Sequence, residues 1–114
     1  MEVVLKEVYN KPGEMFYYII KPENSEILGL IFSIGNSVAY EVMEQYRGHG
    51  IATQALIAFS KKLKKPRLEI KFDNFSSKKV AQNSGYILVK IEYPFEIYEI
   101  NLSSLDSLEH NYNK

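Results

Sequence analysis

The sequence has no cysteine, no excess of either charge and no long apolar run, and each absence removes a class of function. Without cysteine there is no disulfide, no thiolate nucleophile and no thiolate metal site. The 14 basic residues balance the 14 acidic ones, so composition makes no case for binding nucleic acid or an anionic membrane surface. No stretch approaches the roughly 18 apolar residues of a membrane span. The N-terminus alternates rather than forming the apolar centre of a signal peptide, so the expected location is cytoplasmic. What remains is globular in composition: 46% hydrophobic and 25% charged over 114 residues, enough for one domain with a small core. Nine tyrosines and six phenylalanines are many for this length. They point to strand-rich packing or an aromatic-lined groove.

Read in order, the first half is a run of strands. Glu2 to Tyr9 alternates with β-branched weight, and Asn10-Lys11-Pro12-Gly13 is a turn. Met15 to Ile20 is a second strand, and Pro22 to Ser25 turns the chain again. Glu26 to Ile34 is a third, with Gly29 as a candidate bulge. Gly35-Asn36-Ser37 is a tight hairpin turn into a fourth strand, Val38 to Met43. Short turns between four strands require an antiparallel meander. A helix is predicted from Ile51 to Lys65, with Ala52, Ala55, Leu56, Phe59 and Leu63 on one face and Pro66 as its stop. Lys61, Lys62, Lys64 and Lys65 crowd its last turns. The helix dipole and solvation account for that cluster without a nucleic-acid patch. A fifth strand, Leu68 to Phe72, follows a strand–helix unit and should lie parallel to the fourth by a right-handed crossover. Asn74 reads as the N-cap of a short helix, Phe75 to Ser84, stopped by Gly85. Tyr86 to Ile91 and Phe95 to Leu102 close the fold around Tyr93-Pro94, and 103–114 is a polar tail. The expected fold class is α/β (α+β): a single domain over residues 1–102 with a mixed, mostly antiparallel sheet of about seven strands and two main helices.

The stretch that organises these elements is Glu44-Gln45-Tyr46-Arg47-Gly48-His49-Gly50-Ile51-Ala52-Thr53. A strand that turns through two glycines into a helix start is suited to phosphate. Glycine lets backbone approach a ligand, and the first helical N–H groups point outward without partners into a positive dipole end. It is not a Walker A loop, because no Gly-Lys-Ser/Thr follows. It is not a dinucleotide fingerprint, because Thr53 occupies the third glycine position.

Arg47-Gly48-His49-Gly50-Ile51-Ala52 does match the Gln/Arg-x-x-Gly-x-Gly/Ala signature of the GNAT acetyltransferases, with Tyr46 as the aromatic before it and Val42 as the strand valine. Downstream, Asn74, Ser77, Gly85 and Tyr86 fit the family's second pattern, in the form that resembles the branch containing the ribosomal-protein N-terminal acetyltransferases. The two motifs cover Val38 to Tyr86, and the closing strands extend the resemblance to about Leu102.

The resemblance implies acetyl-CoA as cofactor and transfer of its acetyl group to a primary amine of a protein, peptide or small molecule. Backbone N–H groups of Arg47, Gly48, His49, Gly50, Ile51, Ala52 and Thr53 would hold the pyrophosphate, with added donors from the side chains of Thr53 and Arg47. Val42 would act through its backbone at a bulge in the fourth strand, where that strand and the fifth open a V around the pantetheine arm. Tyr40 would lie near the thioester, and Asn74 and Ser77 near the pantetheine. For the proton transfers the candidates are Glu41 and Glu44 as bases and Ser77 as acid, with Tyr40 and Tyr86 as further donors if geometry brings them in. No metal, nucleic acid or membrane is implied.

Three departures stand out. The two helices usual between the first and second strands are missing, since Asn10 to Gly13 leaves room only for a turn. The tyrosine usual seven residues after the motif asparagine is Ala81, and Asn36 and Ser37 hold the positions where relatives often carry a carboxylate base. These departures leave three functions open: an N-acetyltransferase, a non-catalytic acyl-CoA-binding module, and a domain completed by a second copy in a homodimer.

Overall fold

The structure is a computed structural model that describes residues 1–100; the predicted polar tail, 103–114, lies outside the described residues. Seven strands form one sheet: β1 (Val4–Lys11), β2 (Glu14–Ile20), β3 (Ile27–Ile34), β4 (Ser37–Val42), β5 (Arg67–Lys71), β6 (Tyr86–Glu92) and β7 (Phe95–Ile100). Their order is β1-β2-β3-β4-β5-β7-β6, antiparallel throughout except for the β4–β5 pair. Helix α1 (Ile51–Ser60) makes the crossover from β4 to β5, and α2 (Phe75–Asn83) joins β5 to β6. Among the described residues no helix is long and apolar enough to cross a membrane.

The meander follows from its turns. Pro12–Gly13 and Gly35–Asn36 are two-residue connections, and each glycine is left-handed, φ +83° and +60°. Such turns suit the right-handed twist of a hairpin. Between β1 and β2 there is only this turn, as the sequence predicts, with no helices.

Both helices lie against the same face of the sheet: α1 packs on β1, β3 and β4 and touches α2, which packs on β5 and β6. Ile51, Ala55, Leu56 and Phe59 of α1 close over Tyr17, Ile19, Leu28, Ile31, Val38, Val42, Leu68 and Ile70. Period-two alternation sends the other set of side chains to the opposite face, which carries part of the aromatic surplus. There Phe16 stacks between Tyr9 and Phe32, centroids 5.8 Å away in each case.

The helix predicted to reach Lys65 stops at Ser60. Lys62 N–H donates to the Phe59 carbonyl and Leu63 N–H to that of Ser60, tightening the chain into a 3₁₀-like turn. The buried stripe ends at Ser60; from there to Lys65 only Leu63 packs partly against the core, and the lysines around it are exposed. The bulge predicted at Gly29 falls one residue earlier. Ile19 pairs with Gly29 and Ile20 with Ile27, so Leu28 is the extra residue.

Tyr86 ties α1 to β6. It is 2% exposed, and its hydroxyl shares a 2.5 Å hydrogen bond with Ser60 Oγ, which also donates to the Leu56 carbonyl at 2.6 Å. Burial pushes its phenol from the ordinary 10.0 to about 12, and Ser60 lowers it in part. Because the folded value lies above the unfolded one, this contribution to stability is complete below pH 10.0 and is lost as pH rises through about 12. Tyr86→Phe should cost about 1 kcal/mol at neutral pH and reduce the loss of stability on going to strongly alkaline pH. Urea denaturation at neutral and alkaline pH measures both.

Candidate functional site

The loop after β4 opens with a single 3₁₀ turn, Glu44–Tyr46. It is anchored from the side: the Tyr46 hydroxyl donates to the Glu26 carboxylate, and Lys21 pairs with Glu26 at 3.1 Å and sits 5.4 Å over the Tyr46 ring. Gly48 and Gly50 are both left-handed, φ +84° and +74°, a conformation L side chains rarely adopt. A Cβ on either would meet nothing within 4 Å, so the space above both is open. Gly50 caps α1 without a side-chain hydrogen bond. Gln54 N–H donates to the Gly50 carbonyl at 3.2 Å, and the N–H groups of Ile51, Ala52 and Thr53 have no carbonyl one turn back. Three outward donors, a positive dipole end and an unfilled approach make an anion cradle.

Arg47 is turned the other way. Its Nε–H donates to the Val42 carbonyl at 3.0 Å, and its guanidinium pairs with the exposed Glu41 at 2.7 Å. It clamps the loop onto β4, which leaves the cradle to backbone groups. His49 and Glu44 are exposed, and Thr53 is buried at the helix start.

β4 and β5 separate after a single bridge, Ser37 to Arg67, with Arg67 N–H donating to the Asn36 carbonyl at 2.8 Å. The two-residue turn makes Ile34 and Ser37 a hydrogen-bonded pair, so alternation turns the N–H and C=O groups of Val38, Tyr40 and Val42 away from β3, toward β5. The same alternation against β7 turns those of Glu69 and Lys71 toward β4. Beyond the bridge, two strand edges therefore face each other unpaired across a cleft. The expected bulge in β4 is absent. The β3–β4 register runs without a shift from Gly29–Val42 to Ile34–Ser37, and divergence of the strands opens the V instead. At Gly29 the backbones come closest: a Cβ there would lie 2.2 Å from the Glu41 carbonyl oxygen.

The cleft encloses a cavity of about 250 Å³ lined by Val38, Ala39, Tyr40, Leu68, Glu69, Ile70, Lys71, Asn74, Ser77 and Phe95. Three residues proposed from sequence meet here: Tyr40, Asn74 and Ser77. Asn74 is the N-cap of α2, its Oδ1 accepting from Ser77 N–H at 3.2 Å and from the Ser76 hydroxyl at 3.2 Å. The buried Tyr40 hydroxyl faces Ser77 and, among the described residues, makes no hydrogen bond of ordinary geometry. Burial raises its pKa above the ordinary 10.0, and Ser77 lowers it in part. Glu41, a predicted base, is exposed and held by Arg47, away from these groups. Ala81 is fully buried in the core.

Ala39, Glu69, Lys71 and Phe95 also line the cleft and were missed from sequence. Their only local signal is strand alternation, which does not say that two neighbouring strands part company.

No protein-family model matches this chain, and no curated protein matches it in sequence. Solved structures match its shape. A Bordetella pertussis protein assigned to the GNAT-family acetyltransferases superposes with a TM-score of 0.62 at 19% identity, over 77% of this chain and 66% of its own. A variant of the spermidine N-acetyltransferase SpeG from Vibrio cholerae gives 0.72 at 13% identity, over 84% and 69%. The microcin self-immunity acetyltransferase MccE, solved with acetyl-CoA and AMP, gives 0.63 at 18% identity, over 77% and 61%. This chain spans about two-thirds of the length of these proteins, and its fold is that of the GNAT acetyltransferases.

Proposed function

We propose that this chain is an acetyl-CoA-dependent N-acetyltransferase whose acceptor is a primary amine. The observation that carries the reading is the parting of β4 from β5 after one bridge, directly below a helix start with unpaired N–H groups and open glycines. A chain with amides along its length and a diphosphate at one end fits both halves. The Arg47 N–H already donates to the Glu44 carbonyl at 3.2 Å, so the pyrophosphate would lie on the N–H groups from Gly48 to Thr53, and the pantetheine amides would pair with the free edges at Tyr40 and Glu69, near Asn74 and Ser77. Bound there, acetyl-CoA supplies an activated acyl group. Val42 N–H and Tyr40 N–H are the donors in position to stabilise negative charge on the carbonyl oxygen. The attacking amine must be neutral, so its proton leaves through water or a carboxylate. Glu41 serves the loop through Arg47, and Glu44 remains an exposed candidate for the proton. Among the described residues nothing covers the sheet face opposite the helices, which suits an amine carried on a peptide or protein as well as a small one.

Calorimetric titration with acetyl-CoA and CoA, followed by an amine panel, tests this. Micromolar binding with acetyl transfer is the expected result. Binding without transfer to any amine would make the chain an acyl-CoA-binding module, and no binding by the folded protein would overturn the reading. If instead a second copy completes the site, sedimentation on the same sample should give a mass above the 13.2 kDa monomer.

A further inference from the structure

On the sheet face opposite the helices the aromatic residues form a row that leads to the cleft. The pairing registers place Tyr9, Phe16, Phe32 and Ala39 side by side across β1, β2, β3 and β4. The three rings stand nearly parallel, tilted by 28° and 11°, with 5.8 Å between successive centroids. The row stops at Ala39, whose methyl group does not reach the height of a ring. Ala39 is exposed, and its neighbours along β4, Val38 and Tyr40, pack on the helix face. Alanine is a poor strand residue, and a stack that served the sheet alone would end on another large side chain. Here, among the described residues, the outer face of Phe32 is left open above Ala39, a berth the width of one ring. Ala39 also lines the cleft. Across it lies Glu69, two residues past the Ser37–Arg67 bridge as Ala39 is, and so on the same face.

We propose that the acceptor is an arylalkylamine, with its ring stacked on Phe32 above Ala39 and its nitrogen directed into the cleft beside Glu69. The inference rests on the acetyl-CoA reading above. A tether spanning about one strand spacing, 4.8 Å, carries the nitrogen from the berth over β4 to the gap between β4 and β5. Stacking removes two apolar ring faces from water, and offset aromatic pairs attract beyond the area they bury. The arriving ammonium meets the Glu69 carboxylate, whose other contacts are Arg67 at 3.6 Å and the Ser37 hydroxyl at 3.2 Å. The other carboxylate beside the berth, Glu41, pairs with Arg47 at 2.7 Å. Each of the two thus has a cation of its own, and this balance suits a ligand with a single ammonium better than a polyamine or a basic protein tail.

Phenylethylamine and butylamine separate the ring from the amine. With acetyl-CoA, the wild type should acetylate phenylethylamine with a kcat/KM about tenfold higher, the difference lying in KM. Phe32→Leu should erase that ratio, because it removes the ring and keeps apolar bulk. Ala39→Phe should abolish it as well, because the protein's own ring fills the berth. A second readout needs no turnover: amide shifts on titrating phenylethylamine into the CoA-bound protein should centre on Phe32 and Ala39, and butylamine should not produce them. Equal kcat/KM for the two amines, or shifts that are absent or centred elsewhere, overturns the proposal. The wild-type comparison decides it even where a variant fails to fold. If calorimetry shows that neither acetyl-CoA nor CoA binds, the acetyl-CoA reading fails and the acceptor with it. CoA binding with equal use of both amines removes the arylalkylamine alone.

Discussion

Gly50→Glu should weaken coenzyme A binding at least a hundredfold while the chain stays folded. Two effects separate here. A side chain at φ +74° costs about 1–2 kcal/mol in backbone strain. A carboxylate at the N-cap returns about 0.3–1 kcal/mol through the helix dipole, and a Cβ meets no atom within 4 Å, so nothing is displaced. Stability should therefore fall only slightly. Binding should fall steeply, because the carboxylate occupies the space into which the N–H groups of Ile51, Ala52 and Thr53 open and repels a second anion there. A hundredfold is about 2.7 kcal/mol, within reach of a lost charge-assisted contact and an added repulsion. Gly50→Ala carries the strain without the charge, so the gap between the two variants isolates the anion cradle. Calorimetry on both, beside thermal melts, gives the answer. Equal affinity of Gly50→Glu and wild type would remove the pyrophosphate from this loop.

Gly29→Val should destabilise the protein by roughly 3 kcal/mol or more, beyond ordinary overpacking. The obstacle is backbone: a Cβ at Gly29 would lie 2.2 Å from the Glu41 carbonyl oxygen and 3.0 Å from Val42 Cα, and neither can rotate away. β4 would have to move where the Val42 carbonyl accepts from Arg47, so the clamp on the loop and the width of the cleft would change together. Gly13→Ala is the comparator. It sits at φ +83° with nothing within 4 Å, so it carries strain alone. Urea denaturation should rank Gly29→Val and Gly29→Ala well below Gly13→Ala. Equal stability of the two alanine variants would mean that the strands can part at Gly29 without loss.

Much of this arrangement is legible in the sequence because it is local. Period-two alternation and two-residue turns with glycine dictate the meander from β1 to β4. The strand–helix–strand order dictates a parallel β5, and Gly48 and Gly50 before an apolar helix mark the anion cradle. Asn74 was readable as a cap because the cap bond spans three residues. In each case the deciding physics is the conformational freedom or hydrogen-bonding need of a few consecutive residues.

What depended on tertiary structure is what joins distant residues. The cleft arises because β4 and β5 diverge after one bridge, and no residue within either strand announces it; sequence reasoning assigned the opening to a bulge in β4 that does not exist. The Arg47 side chain is expected from sequence to reach the pyrophosphate, and it is a clamp instead because the loop folds back on Val42 and Glu41. Tyr40 and Ser77 face each other because α2 packs beside the cleft. Periodicity and turn chemistry act over a few residues and can be read along the chain. The distance between two strands is set by how every layer packs, so it exists only in the assembled molecule.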